Sequence, residues 1–297
     1  MKNIDVVVVT YNRLGLLKEC VDALLSQKDN LSNIFIFNNH STDGTDKYLN
    51  ELSNDSLFII RNSKENLGGA KGFETITKLA AEIGKGDYIW LMDDDTIPTH
   101  NASVFLQKAA GLLDNNFGFL CSNVRWTSGE ATNIPKAARD WPDKLNLKLV
   151  KVENATFVSI FIRRAMVVKV GLPLGEMVIW GDDTEYTTRL SHNVRSYMVI
   201  NSIVIHKTPH NLSNDTIANI SKDRIWRYRC MSRNLIYIDK KYYSTGKVIK
   251  QILVAIRDAF SCLTAKSNKF QRMNAIITGT LSGFVFNPKI SYVKRNK

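Results

Sequence analysis

Hydrophobic and polar positions along the first hundred residues predict strands and helices in turn. Apolar, mostly β-branched runs are typical of buried strands, and the amphipathic stretches between them are typical of helices. The predicted strands are Ile4–Val9, Ile34–Phe37, Leu57–Ile60 and Tyr88–Met92. The predicted helices are Leu14–Ser26, Thr45–Leu52 and Gly72–Ile83. This alternation indicates an α/β fold, in which helices cover both faces of a Rossmann-like, mostly parallel sheet.

The rest of the chain is patterned differently. Residues 125–143, rich in Trp, Pro and Lys, predict a long loop that becomes ordered when a ligand binds. Thr156–Ile162 and Tyr197–Ile205 predict two further strands, on either side of a turn-rich segment. Beyond them, apolar residues recur at helical spacing, at Ile249, Ile252, Leu253, Ile256, Phe260 and Leu263. We therefore expect an α/β domain over residues 1–206 and a basic, mainly helical region over residues 207–297.

Positive charge is concentrated in the last third of the chain. The 297 residues include 40 Lys and Arg and 28 Asp and Glu, a net charge of +12. Residues 207–297 hold 18 of the basic and 4 of the acidic residues, so this region carries +14 and the rest of the chain −2. Such an asymmetry favours a polyanionic partner for the C-terminal region. The candidates are an anionic membrane surface, nucleic acid and a phosphate-bearing substrate.

Several features point to the cytoplasm. The N-terminus runs straight into a short apolar stretch and has neither the apolar core nor the cleavage site of a signal peptide. No run of about 18 apolar residues, the length that crosses a bilayer, occurs in the sequence. The 4 cysteines lie far apart, without the spacing of a zinc site or a disulfide framework. We expect a cytoplasmic protein whose contact with a membrane is peripheral.

Polar residues follow the predicted strands where each strand ends. In open α/β sheets, ligands bind at the carboxyl ends of the strands, so these residues are candidates for a site. The four groups are Thr10-Tyr11-Asn12-Arg13, Asn38-Asn39-His40-Ser41, Arg61-Asn62 and Asp93-Asp94-Asp95. They place hydroxyl, amide, guanidinium and carboxylate groups on one rim of the predicted sheet.

Three adjacent carboxylates, Asp93, Asp94 and Asp95, follow the predicted strand Tyr88–Met92. They would repel one another at a strand end unless a cation offset their charge. Mg²⁺ and Mn²⁺ prefer oxygen ligands and are commonly shared between carboxylates and substrate phosphates, which suits a nucleotide diphosphate. The alternative is a solvated acidic turn. His206, after a later strand, would add a nitrogen ligand and favour Mn²⁺ over Mg²⁺, although a lone histidine is more often structural.

A glycine-rich segment, Asn66-Leu67-Gly68-Gly69-Ala70-Lys71-Gly72, opens a predicted helix. Glycines permit close approach of the backbone, and the free N–H groups at a helix start favour phosphate. Lys71 adds a full positive charge to this position. The segment matches neither of the two common phosphate-binding loops, and a plain turn at the start of a helix is the alternative.

A second acidic cluster, Asp182, Asp183 and Glu185, lies far along the chain from the first. Transfer of a group to a hydroxyl needs a carboxylate that accepts the hydroxyl proton, on the side opposite the leaving group. Asp183 is our candidate for this base. The alternative is that these residues cap the helix predicted over residues 184–190, because Asp is a good N-cap and acidic residues suit a first turn.

Five motifs follow one another along the chain. They are Thr10-Tyr11-Asn12-Arg13, Asn38-Asn39-x-Ser41-x-Asp43-Gly44-Thr45, Asn66-Leu67-Gly68-Gly69, Asp93-Asp94-Asp95 and Trp180-Gly181-Asp182-Asp183-x-Glu185-Tyr186. In this order they resemble the inverting glycosyltransferases of family 2, and most strongly the galactofuranosyltransferase-like and rhamnosyltransferase-like branch. The resemblance covers roughly residues 6–206 and continues weakly to Arg233-Asn234. It implies a GT-A fold with a C-terminal helical extension.

The resemblance also implies roles for individual residues. The nucleotide diphosphate would be held by Thr10, Tyr11, Asn12, Arg13, Asn39, Asn66, Gly68, Gly69 and Lys71. The metal ligands would be Asp93, Asp95 and His206. Asp94 would face the donor sugar or the ribose, and Asp183 would be the general base, with Asp182 beside it on acceptor or donor hydroxyls. Many relatives carry Asp where this chain has Asn38 or Asn39, so the contact to the base departs from the family pattern here.

The implied reaction is a divalent-metal-dependent transfer of a sugar to a hydroxyl, with inversion at the anomeric carbon. UDP-galactofuranose and dTDP-rhamnose are the favoured donors, Mn²⁺ or Mg²⁺ is the cofactor, and a cell-surface or lipid-linked glycan is the acceptor. A peripheral position on the inner face of the cytoplasmic membrane would bring the enzyme to such an acceptor. The alternative for the C-terminal region is a helix packed on the catalytic domain, with its lysines merely solvated.

Two other kinds of function fit parts of the sequence. Aromatic residues among Lys and Arg suggest nucleic-acid binding, and they are Trp226, Tyr228, Tyr237, Tyr242 and Tyr243. Clustered aspartates would repel nucleic-acid phosphates unless a metal intervened, so a metal-dependent nucleotidyltransferase is the more coherent form and a nucleic-acid partner is disfavoured. The second is a catalytically silent sugar-binding scaffold, which donor hydrolysis in the presence of Mn²⁺ would exclude.

Overall fold

A computed structural model describes residues 3–209 and 216–293 of the chain. Residues 1–2, 210–215 and 294–297 lie outside the described residues, and the last two segments belong to the region predicted to be basic and helical. Within the described ranges, the chain forms one ten-stranded sheet with helices on both faces. This architecture confirms the predicted α/β fold class.

All ten strands belong to one mixed sheet. They are β1 (Ile4–Thr10), β2 (Leu31–Asn38), β3 (Phe58–Asn62), β4 (Tyr88–Asp93), β5 (Thr96–Pro98), β6 (Leu120–Trp126), β7 (Lys136–Ala137), β8 (Leu149–Asn154), β9 (Ile160–Arg163) and β10 (Ser196–His206). Their order across the sheet is β3-β2-β1-β4-β9-β6-β10-β8-β7, and β5 pairs with β10. β1 to β4 pair in parallel, as do β6 and β10, whereas β9 runs antiparallel between β4 and β6. The longest pairings are therefore parallel.

Nine α-helices accompany the sheet in the part of the chain that the structure describes. They are α1 (Leu14–Leu25), α2 (Thr45–Leu52), α3 (Gly69–Ile83), α4 (Ala102–Leu112), α5 (Arg164–Val170), α6 (Asp182–Asn193), α7 (Ile225–Tyr242), α8 (Thr245–Ser261) and α9 (Lys269–Gly283). The bounds of α2 agree with the prediction. α3 begins three residues earlier than predicted, because Gly68, with a φ of +80°, already turns the chain into the helix.

Alternation of side chains along β1 builds the two cores of the molecule. All 7 residues of β1 are buried. Val6 and Val8 point to the face covered by α1 and α4, and Val7 and Val9 point to the face covered by α3, α5 and α6. A strand that is buried on both faces reads as a continuous apolar run, which is why the sequence pattern predicted it correctly.

The predicted strand Thr156–Ile162 is wrong at its start. The strand, β9, begins only at Ile160. Phe157 lies instead in a turn, where its ring packs 4.6 Å from the Phe73 ring between centroids and 6.1 Å from that of Tyr186. Packing of this aromatic side chain between two helices outweighs the local preference for an extended chain.

The predicted ligand-ordered loop, residues 125–143, has structure of its own. It contains the end of β6, the strand β7 and the start of a 3₁₀ turn, Trp141–Leu147. Trp126 Nε1 donates to the carbonyl of Thr208 at 2.9 Å, which ties this stretch to the residues after β10. The stretch is therefore more than a plain loop, because it has backbone and side-chain bonds of its own. Its ordering by a ligand stays a prediction.

The C-terminal helices pack on one another and on the α/β part. A Cβ at Gly279 would lie 2.5 Å from the carbonyl oxygen of Arg229, so α9 approaches α7 as closely as glycine permits. Tyr237 and Ile238 of α7 pack in turn against α3 and the turn before α6. A domain boundary at residue 206 stays a prediction. None of the helices within the two described ranges combines the length and apolarity needed to cross a bilayer.

Replacing Gly279 by Ala should destabilise the protein, whereas the same change at Gly111 in α4 should not. A Cβ at Gly279 meets a backbone oxygen of another helix, but outside its chain neighbours and its own helix backbone no described atom lies within 4 Å of a Cβ at Gly111. We expect Gly279→Ala to lower the free energy of unfolding by about 1–3 kcal/mol. Gly111→Ala should raise it by about 0.5–1 kcal/mol, because alanine suits a helix better. Urea unfolding followed by circular dichroism measures both, and equal stabilities would contradict the close packing of α9 on α7.

Candidate active site

The polar residues after β1 and β4 lie at one edge of the sheet, together with the end of β10. β1 and β4 pair in parallel, so their carboxyl ends reach the same edge. The chain continues from Asp95 into β5, which pairs antiparallel with β10 and places Thr96 opposite His206. This pairing brings the His206 imidazole beside the Asp95 carboxylate, although the two residues are 111 positions apart in the chain.

Asp93, Asp95 and His206 form a cluster that fits a divalent cation. Their candidate ligand atoms all lie within 4.8 Å of one another. His206 Nε2 is 3.1 Å from Asp95 Oδ1. Two carboxylates and one imidazole are a donor set suited to Mn²⁺, and to Mg²⁺ through the carboxylates. The structure thus brings the three predicted metal ligands together, and their binding of a metal stays a prediction.

Asn133, which sequence reasoning missed, holds His206 from the other side. Its Oδ1 lies 2.8 Å from His206 Nδ1. With Nε2 directed at the carboxylates, Nδ1 is the nitrogen that would carry the proton and donate it to Asn133, which fixes the tautomer that a metal ligand needs. Asn133 belongs to residues 125–143, whose pattern predicted only a loop, so no local signal marks it.

Burial and neighbouring charges set the ionisation of this cluster. Burial, and then the charge of Asp95, raises the pKa of Asp93 to about 7. Burial alone would also raise the pKa of Asp95, but the hydrogen bond and charge of His206 and the charge of Arg13 lower it. Burial disfavours the His206 imidazolium, but the hydrogen bond and charge of Asp95 outweigh it and raise the pKa of His206. Protons would therefore compete with a cation for this cluster as the pH falls below about 7.

Asp94 is bonded to the end of β1 rather than to this cluster. One of its oxygens accepts hydrogen bonds from Thr10 Oγ1 at 2.7 Å and from the Tyr11 N–H at 3.3 Å. The other accepts from Arg13 Nη1 at 3.2 Å, and Arg13 also pairs with Asp95. The buried Asp94 carboxylate thereby joins β1 to β4, and its contact with a donor sugar or ribose stays a prediction.

Asp182 and Asp183 line the same groove as Asp93, Asp95 and His206. Trp180 and Gly181, with φ values of +57° and +95°, turn the chain sharply into α6. Gly181 takes the N-cap position, so neither aspartate is the N-cap residue of α6. Asp182, Asp183 and Glu185 nevertheless lie in its first turn, as the alternative expected, and Asp183 Oδ1 accepts from the Thr184 N–H at 2.6 Å. Burial raises the pKa of both carboxyls, and the charges of Asp183 and Asp93 add to the effect on Asp182.

Helix α7 holds the turn that precedes these two aspartates. Asn234 Nδ2 donates to the carbonyl of Trp180 at 2.7 Å and to that of Met177 at 3.0 Å. Arg233 donates to the Met177 carbonyl as well, at 3.1 Å. Arg233 and Asn234, to which the family resemblance extends only weakly, therefore position the backbone that leads into Asp182 and Asp183.

The asparagines after β1 and β2 are bonded to neighbouring backbone. Asn39 Oδ1 accepts from the Leu67 N–H at 2.8 Å, and Asn39 Nδ2 donates to Asn66 Oδ1 at 2.9 Å. Asn12, with a φ of +51°, accepts from the Thr42 N–H at 2.7 Å. These bonds bring together the loops that follow the first three strands, and their contact with a nucleotide stays a prediction.

The glycine-rich segment packs against the turn before α6. A Cβ at Gly68 would lie 2.8 Å from the carbonyl oxygen of Val178, and the φ of Gly68 is +80°, so both space and conformation require glycine. Gly69 lines the groove. Lys71 pairs with Glu74 at 2.6 Å and is not among the described residues that line the groove. Its contact with a diphosphate stays a prediction.

One groove of about 510 Å³ joins both acidic groups with three arginines. Its walls include Asp93, Asp95, Asp182, Asp183, His206, Arg13, Arg224 and Arg227. Burial and the charges of Arg224 and Arg13 lower the pKa of Arg227, and Arg227 Nε has no hydrogen-bond partner within residues 3–209 and 216–293. Like charges held together in this way favour an anion between them. Sequence reasoning missed Arg224 and Arg227, although their spacing of three at the start of α7 puts them on one helix face.

The sequence matches the family described as glycosyl transferase family 2 over residues 5–171, more than half of its length. The chain belongs to this family. No curated protein matches it in sequence.

Solved structures share its fold at low sequence identity. GalNAc-T7, solved with UDP, GalNAc and Mn²⁺, is 14% identical, with a TM-score of 0.65 over 92% of this chain and 54% of that one. The mannosyltransferase PcManGT from Pyrobaculum calidifontis, in complex with GDP-Man and Mn²⁺, is 14% identical, with a TM-score of 0.59 over 96% of this chain and 76% of that one. S. aureus TarS in complex with UDP-GlcNAc is 14% identical, with a TM-score of 0.54 over 94% and 91%. The chain spans about half the length of GalNAc-T7. At this identity the likeness concerns the fold, and it confirms the predicted GT-A fold.

Replacing Asn133 by Ala should weaken metal binding without removing a ligand. The His206 imidazole would lose the group that orients it, so we expect the affinity for Mn²⁺ to fall by about 10- to 100-fold. Titration of Mn²⁺, followed by the electron paramagnetic resonance of the free ion, measures the affinity. Asn50→Ala, at an exposed position in α2, is the matched control and should bind as the wild type does. Unchanged affinity in Asn133→Ala would remove Asn133 from the site.

Proposed function

We propose that this protein is an inverting, divalent-metal-dependent glycosyltransferase. It moves a sugar from a nucleotide diphosphate donor to a hydroxyl of a glycan. The observation that carries the proposal is the single groove in which a cation-binding cluster, a pair of buried carboxyls and three arginines meet. Membership of glycosyl transferase family 2 supports the same class of reaction.

The leaving diphosphate would be bound by a cation and by arginines. Asp93, Asp95 and His206 would hold Mn²⁺ or Mg²⁺, and the imidazole favours Mn²⁺. When bound, the ion supplies a Lewis acid for the charge that develops on the diphosphate. The Mn²⁺ in the structures of GalNAc-T7 and PcManGT supports this cofactor. Arg224 and Arg227 would bind the phosphate oxygens by charge-assisted hydrogen bonds, together with Arg13.

The remaining donor contacts would come from the rim of the groove. We assign them to Thr10, Tyr11, Asn12, Asn39, Asn66, Gly68, Gly69, Lys71 and Asp94. UDP in GalNAc-T7, UDP-GlcNAc in TarS and GDP-Man in PcManGT support a nucleotide-sugar donor. The motif resemblance to the galactofuranosyltransferase-like and rhamnosyltransferase-like branch favours UDP-galactofuranose or dTDP-rhamnose. The shape of the sugar pocket decides between such donors.

Asp183 would accept the proton of the acceptor hydroxyl. Burial raises its pKa, which makes it a better base than a solvated carboxylate. Asp182, beside it, would bind hydroxyls of acceptor or donor. The stretch of residues 125–143 reaches the groove through Asn133 and would limit the access of water to the donor. A single displacement on the side opposite the diphosphate would invert the anomeric carbon.

Replacing Asp183 by Asn should slow the reaction and leave the fold and donor binding in place. An amide cannot take the proton, so we expect turnover to fall by about 10²- to 10⁴-fold. Release of nucleotide from a panel of UDP- and dTDP-sugars with Mn²⁺ measures turnover. A thermal shift with UDP and Mn²⁺ measures binding to the folded protein.

The matched control for this variant is Asp22→Asn, at an exposed position of α1, which should turn over as the wild type does. Near-normal turnover by Asp183→Asn would rule out Asp183 as the base. A wild type that binds UDP with Mn²⁺ but turns over no donor would favour the silent sugar-binding scaffold instead.

We further propose that the acceptor is a lipid-linked or cell-surface glycan presented at the inner face of the cytoplasmic membrane, and that α8 and α9 rest on this surface. Exposed apolar side chains support this role, and they include Leu253, Ile256, Phe260, Phe270, Ile277 and Leu281. Between the two helices lies a groove of about 310 Å³ whose walls are apolar residues and one threonine. Large exposed apolar patches mark interaction surfaces.

Charge favours an anionic membrane over a second copy of the chain. Exposed cations flank the apolar surface, at Lys250, Arg257, Lys266 and Lys269. Asp258 is the single acidic residue of α8 and α9, and it pairs with Arg257 at 2.8 Å. Two such surfaces facing each other would bring like charges together, whereas anionic headgroups would neutralise them.

Vesicles that contain phosphatidylglycerol should sediment the protein, and more of it at low than at moderate salt, because salt screens the attraction. Leu253→Ser/Phe270→Ser should reduce the bound fraction, since both side chains are exposed and apolar. Ile83→Ser, which removes an exposed apolar side chain at the end of α3, is the matched control. The absence of sedimentation at either salt concentration would remove the membrane from the proposal.

A further inference from the structure

A second pocket, of about 290 Å³, adjoins the groove beside the candidate base. It lies between β7, β8, the start of α6, α7 and α8. Thr184 and Leu235 line both the pocket and the groove. Thr184 directly follows Asp183, and its N–H donates to Asp183 Oδ1 at 2.6 Å. The pocket therefore begins one residue from the group that would receive the acceptor proton.

Three lysines give this pocket positive charge. Lys136 lies on β7, and Lys247 and Lys250 lie in the first two turns of α8. Lys136 pairs with Glu153, but in the described parts of the chain neither lysine of α8 forms an ion pair. The start of a helix already carries a partial positive charge, and the first turn of α8 has no acidic residue. Cations at this position are costly unless an anion binds there.

A buried hydroxyl in the same wall lacks a partner. Tyr243 Oη is buried and has no hydrogen-bond partner among the residues that the structure describes. Lys136 Nζ lies 5.0 Å and Lys247 Nζ 5.5 Å from the centroid of the Tyr243 ring. Buried polar groups are normally hydrogen-bonded, so this hydroxyl points to a missing acceptor. A hydroxyl donor on a ring that has two ammonium groups near it suits the oxygens of a phosphate.

Asp239 is the one carboxyl group among the residues that line this pocket. Burial raises its pKa, although the charges of Lys247 and Lys136 oppose the shift. Glu153 pairs with Lys136, and the single carboxyl of Asp239 does not neutralise both Lys247 and Lys250, so the pocket keeps a net positive charge. Asn154 and Gln251 add amide donors to its wall.

We propose that this pocket binds a phosphate group of the acceptor. The inference rests on the proposed glycosyl transfer, because it takes Asp183 as the base. The arginines and the cation-binding cluster of the groove serve the donor diphosphate, so a separate cationic pocket beyond Thr184 fits an anion that the donor does not carry. The acceptor is then a phosphate-bearing glycan, with its hydroxyl at Asp183 and its phosphate near Lys247 and Tyr243.

Binding of two phosphate monoesters to the full chain tests this proposal. EDTA keeps any cation from bridging phosphate to the aspartates of the groove. Glycerol 3-phosphate presents the phosphate alone, and octyl phosphate adds an apolar chain. Isothermal titration calorimetry measures both affinities for the wild type and for Lys136→Gln/Lys247→Gln. We expect the wild type to bind both esters, and the double variant to bind them more weakly by on the order of tenfold or more.

Two further variants separate binding from folding and from overall charge. Lys28→Gln/Lys108→Gln removes the same charge at exposed positions outside the pocket and should bind as the wild type does. Tyr243→Phe removes the unpartnered hydroxyl, so it should weaken binding several-fold without lowering the melting temperature. A lower melting temperature with unchanged phosphate affinity would show a purely structural hydroxyl and overturn its assignment.

The outcomes distinguish the sources of the phosphate and the two proposals. Tighter binding of octyl phosphate would assign the phosphate to a lipid carrier, and equal binding would assign it to the glycan itself. Absence of binding, or equal affinities in the lysine variant of the pocket and the control, would overturn the proposal. Donor turnover without phosphate binding would overturn this inference alone, whereas phosphate binding without donor turnover would overturn the proposed reaction and leave an anion site.

Discussion

Repulsion among buried carboxylates is the constraint around which this structure is organised. Asp93, Asp94 and Asp95 follow one another at the end of β4, where burial makes each negative charge costly. The three carboxylates differ in how their negative charge is stabilised. Asp94 is bonded to the end of β1, and Asp95 lies between Arg13 and His206. Asp93 is left with a strongly raised pKa, so it is the member of the triad that gains most from a bound cation.

Elements from both ends of the chain are needed to complete the groove. The pairing of β5 with β10 carries His206 to the carboxylates. Helix α7 holds the turn before α6 through Asn234, and Arg227 of the same helix faces the groove. The α/β part thus contributes the acids, and the first C-terminal helix contributes cations and support. The predicted boundary at residue 206 therefore falls between residues that line the same groove.

The Lys and Arg residues that give the C-terminal region its positive charge lie at several places rather than on one surface. Arg227 lines the groove, and Lys247 lines the neighbouring pocket. Lys266 and Lys269 are exposed beside the apolar surface of α8 and α9. These positions suit three kinds of anion, namely a diphosphate, a single phosphate and lipid headgroups. A nucleic-acid partner would need a continuous basic surface, whereas here the cations are divided among a groove, a pocket and a helical face.

The sequence by itself determined the local structure and the family. β1 and β4 are buried on both faces. Strands of this kind appear in the sequence as a continuous apolar run, which can be recognised without the structure. The two acidic groups could also be found in the sequence, because each lies within a few consecutive residues of one motif. Only the tertiary structure decided that Asn133 meets His206 and that Arg227 lines the same groove as Asp183. Those contacts depend on how distant elements pack, and neither periodicity nor spacing along the chain carries that information.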